Sequence, residues 1–123
     1  MPDKIKKALV VDDEESLREI ISEVLEMLGI ETVMAEDGLK ALELIEHNKD
    51  EIGVFLIDRF MPQMSGEETY VKLHKILPEC PVVFMSGYEQ QDGDLPVSAT
   101  AQQKFLKKPF GISQLKDVIT SLM

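Results

Sequence analysis

Phe55-Leu56-Ile57-Asp58-Arg59-Phe60-Met61-Pro62-Gln63-Met64-Ser65-Gly66 is the stretch around which the chain is organised. Its first three residues are apolar and β-prone, which predicts a buried strand, and Asp58 follows at the carboxyl end. Pro62 and Gly66 then punctuate a loop that runs into a helix. A single strand-end aspartate commonly does no more than start a turn. Its meaning depends on what the other strands deliver to the same edge.

Upstream, Ala8-Leu9-Val10-Val11 is an uninterrupted apolar run of the kind buried on both faces of a sheet, and it ends in Asp12-Asp13. Leu17, Ile20, Ile21, Val24, Leu25 and Leu28 follow at helical steps, which predicts one apolar stripe on a helix closed by Gly29. Residues 30–35 give a second strand. After an Asp37-Gly38 turn, Leu39, Ala41, Leu42 and Ile45 mark a second helix. The third strand is placed at residues 53–57, and a third helix opens at Ser65 or Gly66, carries Tyr70, Leu73, Ile76 and Leu77, and stops at Pro78.

Downstream, residues 81–85 form a fourth strand that ends in Ser86-Gly87. The segment from Tyr88 to Gln103, interrupted by Gly93 and Pro96, predicts a short or irregular fourth helix; residues 89–103 are expected to be mobile until phosphate or a partner orders them. Lys104-Phe105-Leu106-Lys107 is a brief fifth strand ending at Lys108-Pro109. Leu115, Val118, Ile119 and Leu122 set a final helix. Five alternating strand and helix pairs predict an α/β fold: a five-stranded parallel sheet with five helices on both faces, because parallel neighbours need crossover connections. Ligand sites in such sheets form outside the carboxyl ends of the strands.

The 123 residues, 44% hydrophobic, suffice for one domain spanning residues 1–123. A net charge of -10 opposes direct binding to nucleic acid or to an anionic membrane surface. The one cysteine, Cys80, has no internal partner for a disulfide, which fits a reducing, cytoplasmic location. No signal peptide or membrane span is legible, and His47 and His74 lie on separate predicted helices without ligand spacing.

The strand ends carry Asp12 and Asp13, Asp58, Ser86 and Lys108. Each has an ordinary reading, as helix cap, turn residue or solvated lysine, but three acids, a hydroxyl and a lysine at one edge exceed what turns require. Converging carboxylates repel one another, and a bound cation is one remedy. Mg²⁺ suits hard oxygen ligands and bridges carboxylates to phosphate. A carboxylate beside such an ion can accept a phosphoryl group, with a lysine neutralising charge and Ser86 donating a hydrogen bond.

Val10-Val11-Asp12-Asp13-Glu14, the Asp-x-x-Met-Pro-x-Met-x-Gly pattern from Asp58 to Gly66, Met85-Ser86-Gly87 and Lys107-Lys108-Pro109-Phe110 together resemble the receiver domain of two-component response regulators, like the chemotaxis receiver protein. The resemblance covers essentially the whole chain. It implies a flavodoxin-like fold with strand order 2-1-3-4-5. It implies that Asp58 is the phosphoacceptor, that Asp12 and Asp13 place Mg²⁺ with the backbone carbonyl of Phe60 as a further ligand, and that Lys108 contacts the phosphoryl group. Ser86 is implied to move to that group and Phe105 to be an aromatic switch. The implied partners are a sensor histidine kinase or phosphotransfer protein and a downstream protein effector of undefined class. On that reading the domain is a phosphoacceptor signalling module and not an enzyme acting on other substrates. A phosphatase of the haloacid dehalogenase type would need an acid two residues after its nucleophile, where this chain has Phe60. A binding module that kept the fold and lost the chemistry is the other alternative, and the full set of site residues argues against it. Ser86 stands where Thr is commoner, which predicts looser coupling of the switch. Phe60 and Tyr88 flank the acceptor and are expected to slow hydrolysis of its acyl phosphate.

Overall fold

The computed structural model describes residues 5–61, 63–87 and 102–123. In chain order the elements are β1 (Lys7–Val11), α1 (Glu15–Met27), β2 (Glu31–Ala35), α2 (Gly38–Asn48), β3 (Ile52–Asp58), α3 (Gly66–Ile76), β4 (Val82–Ser86), β5 (Gln103–Lys107) and α4 (Ile112–Thr120). All strand pairs are parallel, and the sheet order is β2-β1-β3-β4-β5. The short or irregular fourth helix, the mobility of residues 89–103 and the role of Tyr88 fall on residues 88–101, outside the described residues, except that Gln102 and Gln103 are described and Gln103 begins β5.

Side-chain alternation divides the sheet into two apolar faces. Ala8, Val10, Val54, Leu56, Val83, Met85 and Leu106 pack against Ile21, Val24 and Leu25 of α1 and Leu115 and Ile119 of α4. Leu9, Val11, Phe55, Ile57, Val82 and Phe84 pack against Ala41 and Ile45 of α2 and Tyr70 and Leu73 of α3. β1, β3 and β4 are buried almost throughout because helices cover them on both sides. β2 lies at the edge and is half-exposed.

The helix boundaries follow from local chemistry. Leu28 caps the end of α1, and Gly29 adopts φ 79° while its N–H donates to the Glu26 carbonyl at 3.0 Å. That left-handed conformation favours glycine. The expected Asp37-Gly38 turn is instead the start of α2: Asp37 caps it, accepting from the Lys40 N–H at 2.8 Å, and Gly38 is its first residue. α3 begins with a capping box, in which the Ser65 hydroxyl accepts from Glu68 N–H and Glu68 Oε1 accepts from Ser65 N–H, both at 3.1 Å. Two expected core residues are exposed. Ile20 on α1 is 49% accessible and Leu39 on α2 is 59% accessible, since both sit at the margins of their stripes.

Candidate functional site

The register of the sheet assembles the site. Val11 pairs with Ile57 across β1 and β3, so one residue further Asp12 and Asp58 leave the sheet side by side. Asp58 pairs with Met85, and Ser86 follows it; Ser86 in turn pairs with Lys107, and Lys108 follows that. Alternation gives Asp12 the parity of Val10, Asp58 that of Leu56 and Lys108 that of Leu106, all residues of the face packed against α1 and α4.

Lys108 is the cation of the cluster. Its Nζ lies 3.0 Å from Asp12 Oδ2, 3.4 Å from Asp58 Oδ2 and 3.5 Å from Glu14 Oε1. Its side chain is only 19% exposed, which rules out a merely solvated lysine. Its backbone N–H donates to the Ser86 carbonyl at 2.6 Å, locking the strand ends together. Burial works to lower its pKa, but the neighbouring carboxylates outweigh burial and the net direction is upward.

Asp12 is fully buried, and one of its oxygens accepts the Glu14 N–H at 2.9 Å. Arg18 Nη1 donates to the Asp12 backbone carbonyl at 2.7 Å. Asp12 is not the cap residue of α1; that position is Glu14, and Asp13 is exposed. Asp58 is 5% exposed and accepts the Phe60 N–H at 3.2 Å. Burial, then the charge of Asp12, push its carboxyl up to about 6, against the opposing pull of Lys108 and the Phe60 N–H. Burial likewise raises Asp12.

One oxygen each from Asp12, Asp13 and Asp58 falls within 4.8 Å of the other two. Three carboxylates facing one ammonium leave an excess of negative charge among hard oxygen donors. That donor set fits a small divalent cation such as Mg²⁺.

Ser86 is buried, and its hydroxyl has no hydrogen-bond partner among the described residues. A buried donor left unmade costs free energy, so such a group is poised for an acceptor that arrives. Ser86 has the parity of Phe84, and Phe84 pairs with Phe105 across β4 and β5. Their rings stack at 6.1 Å, and Tyr70 meets Phe84 edge-on at 5.4 Å. Phe105 is therefore half-buried on the α3 side of the sheet, in line with Ser86.

Two features escaped sequence reading. Glu14 stood inside a quoted motif without a role, and it approaches Lys108. Arg59 is buried and pairs with Glu67 in the first turn of α3, with Nε at 2.8 Å and Nη2 at 2.7 Å from Oε2. The available signal was parity: Arg59 continues the series Phe55, Ile57, and a charge at a core position requires a partner. Cys80, by contrast, is buried among apolar groups that push its thiol up to about 12, so it is inert.

A buried acidic cluster at the carboxyl edge of a 2-1-3-4-5 parallel sheet, bridged by a lysine and flanked by a hydroxyl with no partner among the described residues, is an arrangement of the α/β receiver class. Residues 8–120 match the model of the response regulator receiver domain, and the chain belongs to that family, which acts in two-component signalling. It is 28% identical over 114 residues to the sporulation initiation phosphotransferase F of Bacillus subtilis, covering 93% of this chain and 90% of that protein. It is 30% identical over 115 residues to the sensor kinase CckA of Brucella abortus, covering 94% of this chain but 12% of that protein. Other curated relatives are spanned over 13% to 50% of their length. The structure of the Vibrio cholerae chemotaxis protein CheY4 superposes with a TM-score of 0.84 at 26% identity, covering 98% of this chain and all of that one.

Proposed function

We propose that this domain, residues 1–123, accepts a phosphoryl group on Asp58 from the phosphohistidine of a sensor histidine kinase or phosphotransfer protein. The observation that carries the reading is the contact of Lys108 Nζ with both Asp12 and Asp58, two of the three carboxylates that cluster with Asp13 at the sheet edge. An Asp58 carboxylate oxygen attacks phosphorus, the P–N bond of the donor breaks, and the imidazole nitrogen keeps the electron pair and takes a proton. The product is an aspartyl phosphate, and water later cleaves its P–O bond to regenerate the carboxylate. Lys108 balances charge on the transferred oxygens, and Asp12 holds Lys108 in place. Asp12, Asp13, Asp58 and the Phe60 carbonyl are the groups that would hold Mg²⁺, which when bound supplies positive charge to the phosphoryl oxygens.

Ser86, whose hydroxyl has no partner among the described residues, then donates it to a phosphoryl oxygen, and the movement reaches Phe105 through the β4–β5 pairing. A phosphoryl group adds negative charge and strong acceptors, so a local hydrogen bond can shift a packed surface and change affinity for a protein effector. The domain is on this reading a cytoplasmic signalling switch that assists only its own phosphorylation and dephosphorylation. Among the described residues no helix is long and apolar enough to cross a membrane.

The test is intact-mass measurement after incubation with a small acyl phosphate, with and without Mg²⁺. One phosphoryl group gained by the native chain only with Mg²⁺, and not gained by Asp58→Asn, is the expected result. No gain by a folded native chain would favour a binding module that has lost the chemistry.

A further inference from the structure

The residue after β3, Arg59, is tied to the start of α3 in two ways. The Gly66 N–H donates to the Arg59 carbonyl at 2.9 Å, and the Arg59 guanidinium grips Glu67 Oε2 through both Nε and Nη2. Glu67 sits in the first turn of α3, where the helix dipole favours an anion, and α3 is anchored by its capping box and by the buried Tyr70 and Leu73. Glu67 is thus a fixed post. Arg59 also lies with its Cζ 5.7 Å from the centroid of the Phe60 ring. One side chain therefore ties the residue after Asp58 to the next helix and to the ring of Phe60.

An apolar side chain at position 59 would suit the parity of Phe55 and Ile57, and a buried ion pair is a poor route to stability. What the pair fixes is direction. The Phe60 peptide directs its N–H at Asp58 Oδ1 from 3.2 Å, and any rotation about Arg59 would swing that peptide away.

We propose that Arg59 and Glu67 are positioning residues for the acceptor site, their ion pair fixing the Arg59–Phe60 peptide whose N–H faces Asp58, and through it the orientation of the adjoining Phe60 carbonyl that a divalent cation would use. The proposal rests on the reading of Asp58 as the cation-dependent acceptor. Groups that orient metal ligands from behind typically change metal affinity by about 10–100-fold when removed. Glu67→Gln and Arg59→Met should each weaken Mg²⁺ binding by about that factor. Arg59→Lys keeps the charge but loses the fork and should fall between. The double variant should bind no more weakly than the worse single, since both break one interaction.

The experiment is titration of the full chain with MgCl₂, followed by amide resonances of Phe60 and Gly66, with the melting midpoint recorded for each variant. Weakened Mg²⁺ binding in variants that keep native dispersion is the expected result. Native Mg²⁺ affinity in folded variants with lowered melting midpoints would make the pair merely structural and overturn the proposal. Glu67→Gln preserves volume, so it decides the matter if Arg59→Met does not fold. A native chain that neither binds Mg²⁺ nor gains phosphate would overturn the acceptor reading itself; native phosphorylation with unaffected variants overturns this proposal alone.

Discussion

Asp58 is held in a conformation that costs stability. Its carboxyl ionises at about 6 in the folded protein, above the ordinary carboxylate value of 3.8, because burial and Asp12 oppose its charge. A folded-state pKa raised above the unfolded value makes the contribution favourable below about pH 4 and removes it as pH rises through about 6. Without divalent cations, Asp58→Asn should therefore stabilise the domain at pH 7 by about 1–2 kcal/mol after allowance for solvent screening. That corresponds to about 4–8 °C in melting midpoint. Calorimetry from pH 4 to pH 8 should show the gain vanish at the acidic end; a constant gain across that range would mean that Asp58 carries no such burden. The site stores electrostatic repulsion that a bound cation would relieve.

At the start of α3, the element itself is shaped by the site. A Cβ built on Gly66 would collide with the Asp58 carbonyl oxygen and approach the Arg59 Cα to 2.7 Å, and neither is a flexible side-chain end. Gly66→Ala should therefore destabilise by about 1–3 kcal/mol, as forced overpacking does, and slow phosphorylation by pushing α3 from β3. Gly111, before α4, is the control: the nearest atom to its Cβ would be Gln114 Oε1 at 3.8 Å, so Gly111→Ala should cost at most about 1 kcal/mol. Urea unfolding of both variants checks the contrast. Sequence periodicity placed α1, α2, α3 and α4, yet it assigned Ile20 and Leu39 to the core. A helical stripe specifies an angle, and whether its margin is covered depends on how far the neighbouring elements reach. The Asp37-Gly38 pair shows the same limit, since a turn and a helix cap share their residue preferences.

Across the whole molecule, the strand ends place site residues on both faces of the sheet. Asp12, Asp58 and Lys108 follow the parity of the α1/α4 face, while Ser86 follows Phe84 and pairs through it with Phe105 on the α3 side. Ser86→Ala deletes a buried hydroxyl without a partner among the described residues, so its effect on urea stability should be within about 0.5 kcal/mol or favourable. The variant should still gain phosphate, while the Phe105 ring resonances, which phosphorylation should shift in the native chain, should stay in place. Phosphate-induced shifts of Phe105 undiminished in the variant would show that the coupling runs elsewhere.

The sequence by itself determined the alternation of elements, the parallel sheet and which residues stand at its carboxyl edge. Those facts are written in local patterns: apolar runs of strand length, helical spacing and Gly or Pro at the breaks. The strand order came only through likeness to a family, and the tertiary structure decided the pairings. Lys108 meets Asp12 across 96 residues of chain, Arg59 finds Glu67 by crossing a loop, and the Ser86 hydroxyl is left without a described partner. Such pairings depend on register and burial between segments distant in sequence, where local residue preference carries no information about who will be adjacent.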